Sequence, residues 1–195
     1  MSSAQTTSTW LALGDSYTIG EGVRAEDRWP AQLAQQQGFS PPTYLAETGW
    51  TTVDLLSALS TASLAPRYDW VSVMIGVNDQ YDGLGLSLYR EGLNAIVDFA
   101  ISRVEKPARV VVVSIPDYSI TPFAQGREPA RTAQEIVLFN TVVQETAGAK
   151  GVSYCDVTAL SQQAATDLTL LGEDELHPSA KMYQRWAEKI ASNIR

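Results

Sequence analysis

Five short apolar runs punctuate the chain: "WLALG" (10–14), "TYLAE" (43–47), "WVSVMIG" (70–76), "RVVVVSI" (109–115) and "VSYCDV" (152–157). The runs at 70–76 and 109–115 are nearly continuous and rich in β-branched residues, the pattern of strands buried on both faces. Between the runs the period changes. Leu93, Ile96, Val97, Ala100, Ile101 and Val104 fall on one helix face, as do Ile136, Phe139, Val143 and Ala147, and again Met182, Trp186 and Ile190. Strands alternating with helices predict an α/β fold, a parallel sheet covered on both sides.

The punctuation supports these elements. Asp27 is placed to N-cap "RWPAQLAQQQ", with Pro30 in the first turn and Gly38 past the end. Thr51 with Asp54 three residues on resembles a capping box opening "VDLLSAL". With 195 residues and no internal repeat, long linker or low-complexity tract, residues 1–195 read as a single domain.

Charge and composition mostly exclude. A formal charge of −8 without any basic cluster argues against nucleic acid as a partner. The start, "MSSAQTTSTWLALG", has no basic n-region, and its apolar run is too short for a signal peptide or membrane span, so a cytoplasmic location is expected. Cys155, the only cysteine, cannot form an internal disulfide and reads as an inert core thiol. A single histidine rules out a metal site built on paired histidines.

Ligands of parallel sheets bind beyond the carboxyl ends of the strands. The residues there are Ser16 in "ALGDSYTIGEG", Gly49 in "ETGWTT", and Gly76 to Asp79 in "GVND". Ser16 is either a turn residue that bonds its own loop or a nucleophile at the mouth of the sheet. "GDSYTIG" is not a phosphate loop: it lacks the Gly-Lys-Ser/Thr ending, and no G-x-G-x-x-G follows any strand. His177 lies in "DELHP", where Pro178 disfavours helical geometry and holds it in an extended loop before the last helix. Asp174 can fold back onto one ring nitrogen and fix the tautomer, and Glu173 and Glu175 are rivals for that place. Serine, histidine and an acid together supply nucleophile, base and orienter. Any serine–histidine mechanism here must use His177.

"GDSY" (14–17), the glycine of "ETGWTT" (Gly49), "GVND" (76–79) and "DELHP" (174–178) occur in that order over nearly the whole chain. In this they resemble the blocks of the SGNH hydrolases, also called GDSL esterases and lipases. The resemblance implies a three-layer α/β/α sandwich with a flavodoxin-like sheet of about five parallel strands in 2-1-3-4-5 order. It implies Ser16 as nucleophile, His177 as base and Asp174 as its partner. The backbone N–H groups of Ser16 and Gly49 and the side-chain amide of Asn78 would form the oxyanion hole. Developing charge on a carbonyl oxygen calls for such preorganised neutral donors. Asp15 and Asp79 are expected to brace the loops that carry Ser16 and Asn78.

Trp50, Tyr81, Tyr118 and Phe123 lie in predicted loops on this side, lining a pocket or packing beneath it. The expected activity is serine ester hydrolysis through an acyl-enzyme, without metal or organic cofactor. The loops "QYDGLG" (80–85) and "DYSITPFAQGREP" (117–129) are compact, which favours small acyl esters as the partner molecule. Lysophospholipase, thioesterase and carbohydrate deacetylase activities share the same implied triad. A binding protein that kept the fold without turnover is the non-enzymatic alternative.

Overall fold

The computed structural model of the chain describes residues 7–194; residues 1–6 of the opening segment, read above for a leader, and residue 195 lie outside it. Five parallel strands form one sheet: β1 (Trp10–Gly14), β2 (Thr43–Ala46), β3 (Trp70–Met74), β4 (Val110–Val113) and β5 (Ser153–Cys155), in spatial order 2-1-3-4-5. Leu11 pairs with Thr43 on one side and Val71 on the other, and Val112 pairs with Val73 and Tyr154. β1, β3 and β4 are buried at every position, which explains their nearly continuous apolar sequence, and the polar Ser72 of β3 accepts from Trp10 Nε1 at 3.0 Å. The edges β2 and β5 are only partly covered.

The strands are shorter than the apolar runs that announce them. Ile75 and Ile115 remain fully buried although the pairing has ended, because each run continues into the packed start of a loop above the sheet. Burial, not strand pairing, is what the hydrophobic run records.

Eight α-helices lie among the described residues: α1 (Ser16–Ile19), α2 (Trp29–Gln37), α3 (Thr52–Thr61), α4 (Val77–Tyr81), α5 (Leu86–Ser102), α6 (Pro129–Lys150), α7 (Thr158–Ser161) and α8 (Ala180–Ala191). α2 packs on α8 on one side of the sheet, and α3, α5 and α6 pack in succession on the other. The predicted faces point inward. Leu93, Ile96, Val97 and Ala100 of α5, Ile136, Phe139, Val143 and Ala147 of α6, and Met182, Trp186 and Ile190 of α8 are all buried. Val104 is buried two residues beyond the end of its helix.

Cap chemistry agrees at α3 and disagrees at α2. Thr51 and Asp54 form the reciprocal capping box at α3, with the Thr51 N–H donating to Asp54 Oδ2 at 2.9 Å. α2 ends at Gly38 in the left-handed region, as its sequence predicts. Its N-cap, however, is Arg28 and not Asp27. Asp27 instead closes a 3₁₀ turn over Ala25–Asp27, and its carboxylate accepts from Arg24 Nε at 2.8 Å. A cation three residues back outbids the helix amides, and Pro30 has already removed one of the donors that needed a cap.

Burial pushes the Cys155 thiol up to about 11, consistent with an unreactive core residue. Among the described residues, no helix is long and apolar enough to cross a membrane.

Candidate active site

The central strands deliver their C-terminal ends to one place. β1 ends at Gly14, and the chain turns through Asp15 into α1, whose first residue is Ser16. Asp15 is the N-cap of that short helix, its Oδ1 accepting from the Tyr17 N–H at 3.0 Å. Gly14 has no room for a side chain, since a Cβ there would strike Thr18 and the Met74 carbonyl. The turn that carries Ser16 is therefore pressed directly against β3.

His177 arrives from the other end of the chain. Its loop is closed by the Leu171–Pro178 bridge, by the Gly172 N–H donating to the His177 carbonyl at 2.7 Å, and by the Ser179 N–H donating to the Leu170 carbonyl at 2.9 Å. Within it, Asp174 Oδ1 accepts from the backbone N–H groups of Leu176 (3.0 Å) and His177 (2.9 Å). Asp174 Oδ2 lies 2.6 Å from His177 Nδ1. His177 Nε2 lies 2.9 Å from Ser16 Oγ. With a carboxylate at Nδ1, that nitrogen carries the proton and Nε2 is left to accept from the serine hydroxyl. The imidazole also rests on the Tyr17 ring, centroids 5.0 Å apart, and Tyr17 rests on Trp186 of α8.

Partial burial alone would raise the Asp174 carboxyl, but the bonds from the His177 ring and the two amides together outweigh it and hold the group below its usual value. Glu173 and Glu175 make no bond to His177. Glu175 occupies the left-handed region at φ 57°, and both are exposed. Neither competes.

Gly49 stands at φ 84°, in the turn between β2 and α3, where a side chain would be strained. Asn78, near the start of α4, donates one Nδ2 hydrogen to the Trp50 carbonyl at 2.8 Å. The amide is thereby oriented, and among the described residues its second hydrogen has no partner. Among the described residues, neither the Ser16 nor the Gly49 N–H donates to a backbone carbonyl. All three residues border one cavity of about 190 Å³, together with His177.

Asp79, next to Asn78, ties α4 to α3: its carboxylate accepts from the Thr52 N–H at 2.9 Å and from the Thr52 hydroxyl. Burial raises the pKa of Asp79. Burial also raises that of Asp15, to about 8, with Asp79 adding to the effect. Asp15 thus bonds the turn that carries Ser16, whereas Asp79, expected to bond the loop of Asn78, bonds the start of α3 instead.

Tyr81, Tyr118 and Phe123 line the cavity. Trp50 does not. The turn at Gly49 carries the chain into α3, so the Trp50 ring packs against the core and only its carbonyl serves the site, through Asn78. Tyr17, Thr48, Val77 and Leu176 complete the lining and were missed. Each is adjacent in sequence to Ser16, Gly49, Asn78 or His177, and that adjacency was the available signal. Among the described residues there is no cluster of three or more His, Cys, Asp or Glu suited to a metal ion.

The model of the GDSL-like Lipase/Acylhydrolase family matches residues 12–185. No curated protein sequence matches the chain. Among solved structures, the fold is similar to that of Axe2, an acetylxylan esterase from Geobacillus stearothermophilus, at 23% identity and TM-score 0.73 over 96% of this chain and 94% of that one. It is also similar to a protein assigned to the G-D-S-L lipolytic family from Desulfitobacterium hafniense DCB-2, at 21% identity and TM-score 0.77 over 95% and 99%. Separate catalytic mutants of Axe2 replace a serine, a histidine and an aspartate by alanine.

Proposed function

Since the chain belongs to the GDSL-like Lipase/Acylhydrolase family and is an ester hydrolase, we propose that it cleaves small acyl esters through an acyl-enzyme on Ser16. The observation that carries this reading is the unbroken run from Ser16 Oγ through His177 to Asp174, at 2.9 and 2.6 Å, opening on a cavity of only about 190 Å³. The catalytic mutants of Axe2 fall on the same three residue types, which supports the assignment.

Ser16 Oγ attacks the ester carbonyl while His177 Nε2 takes its proton. Asp174 remains ionised, keeps the other ring nitrogen protonated and stabilises the imidazolium that forms. The new oxyanion sits among the Ser16 N–H, the Gly49 N–H and the free hydrogen of Asn78 Nδ2. Those donors are fixed before substrate arrives, so no reorganisation is needed as charge develops. The C–O bond to the leaving group then breaks, and the alcohol departs with the proton held by His177. Water repeats the sequence on the acyl-enzyme and restores Ser16.

The test is hydrolysis of p-nitrophenyl esters from acetate to palmitate, with Ser16→Ala beside wild type. The expected result is a rate highest for the short chains and reduced about 10⁴–10⁶-fold by the substitution. A maximum at long chains would move the activity toward lysophospholipids or acyl thioesters. A rate indifferent to Ser16 would remove the acyl-enzyme altogether.

A further inference from the structure

Beside the Ser16 cavity runs a larger hollow of about 650 Å³. Tyr81 and Tyr118 line both spaces, their ring centroids 6.5 Å apart. Tyr81 stands at the rim, half exposed, whereas Tyr118 is buried. The Tyr118 hydroxyl donates to Gln80 Oε1 at 2.7 Å. Gln80 in turn donates from Nε2 to Glu135 Oε2 at 2.7 Å, and Glu135 Oε1 accepts from Arg131 Nε at 2.8 Å.

The direction of this relay is set at the Glu135 end. The bond from Arg131, with that from Gln80, holds the Glu135 carboxyl below its ordinary range, so it is an ionised acceptor. It claims the –NH₂ of Gln80 and leaves the amide oxygen facing Tyr118. Turning the phenol away would leave a buried hydroxyl and a buried amide oxygen without partners, a costly exchange. Gln80 itself is only 7% exposed and belongs to α4, two residues after Asn78.

We propose that Tyr118, latched by Gln80, is the partition that limits the length of the acyl chain, with Gln80 as its positioning residue. This rests on the reading of Ser16 as the acylated residue. On the near side of the partition, about 190 Å³ falls below the 300–1,000 Å³ of ordinary small-molecule sites, a size that suits a short acyl group. On the far side, Leu84, Leu86, Leu138 and Phe139 offer an apolar strip along which further methylenes would lie, beside the charged Arg127, Glu128, Arg131 and Glu135. The ring of Tyr118 stands between the two.

Kinetics on p-nitrophenyl acetate, butyrate, hexanoate and octanoate test this with Tyr118→Ala, Tyr118→Phe and Gln80→Met. Each methylene newly buried is worth about fourfold in kcat/KM (about 0.8 kcal/mol). Tyr118→Ala is expected to raise the octanoate-to-acetate ratio of kcat/KM at least tenfold, chiefly through KM. Gln80→Met, which keeps the ring and removes the latch, shifts the ratio the same way by less. Tyr118→Phe removes the bond that Gln80→Met breaks, together with the hydroxyl's contact with Thr132, so the double variant moves the ratio no further than Tyr118→Phe alone. A folded Tyr118→Ala with an unchanged ratio would overturn the partition. A Gln80→Met that slows every ester equally would show that Gln80 merely supports α4.

Calorimetric binding of octanoate needs no turnover. Ser16→Ala/Tyr118→Ala should bind it at least tenfold more tightly than Ser16→Ala alone, and equal affinities would sink the partition. Tighter octanoate binding alongside wild-type hydrolysis that ignores Ser16 would instead retain the partition and reject the nucleophile.

Discussion

Asn78 has two amide hydrogens and the structure spends only one of them, on the Trp50 carbonyl. If the other meets the oxyanion, Asn78→Ala lowers kcat about 10²–10³-fold with little change in KM, measured on the preferred short-chain ester. A loss confined to KM would make the side chain a substrate contact instead. Asp15 gives a prediction of a different kind. An unfolded chain ionises this carboxyl near 3.9 (the model-peptide value), whereas the folded protein keeps its proton to about 8. Between those values the unfolded state sheds a proton that the native state retains. Rising pH therefore favours unfolding; the stabilisation is complete below about 4 and gone above about 8. Asn at this position still caps α1 through its side-chain oxygen but has no proton to lose. The Tm of Asp15→Asn should gain steadily on wild type from pH 4 to pH 8, and parallel Tm curves would refute the assignment. At this scale the sequence was legible where identity dictates chemistry: one histidine, a serine after a strand, an aspartate three residues before the histidine. It was illegible for Gln80, whose importance comes from Glu135, 55 residues away, and no local pattern announces such a partner.

Elements were readable wherever local and tertiary preferences coincide. The continuous runs of β3 and β4 and the faces of α5, α6 and α8 mark what is buried, and burial is the larger energy. The ends were less readable, because they turn on competition between single polar contacts. Thr51 faced no rival and made its box, whereas Asp27 was taken by Arg24. Thr51→Ala should accordingly cost about 1 kcal/mol in chemical denaturation, with the whole effect in the midpoint and none in the slope. Because α3 follows directly on Gly49, the variant also reports on the site. A drop in kcat beyond the loss of stability would show that the cap holds the Gly49 turn in register. The strand order was not written in any periodicity. It came from the resemblance carried by four short blocks, because parallel neighbours are chosen by long-range packing that leaves no local trace.

Across the whole molecule, α8 joins the last segment of the chain to the first. It packs on α2, where Gln32 Nε2 donates to the Ala180 carbonyl at 3.1 Å, and its Trp186 backs the Tyr17 ring on which His177 rests. Loosening this joint anywhere displaces the imidazole, so loss of ester hydrolysis and of tryptophan fluorescence should superimpose along a urea titration. Activity vanishing well before the fluorescence change would reveal a local opening of the histidine loop. Ser16 and His177 touch across 161 residues of chain. On a translating ribosome, then, Ser16 leaves the exit tunnel long before His177 has been synthesised. Until α8 docks, the nascent chain holds an ordinary hydroxyl at Ser16, with no imidazole beside it.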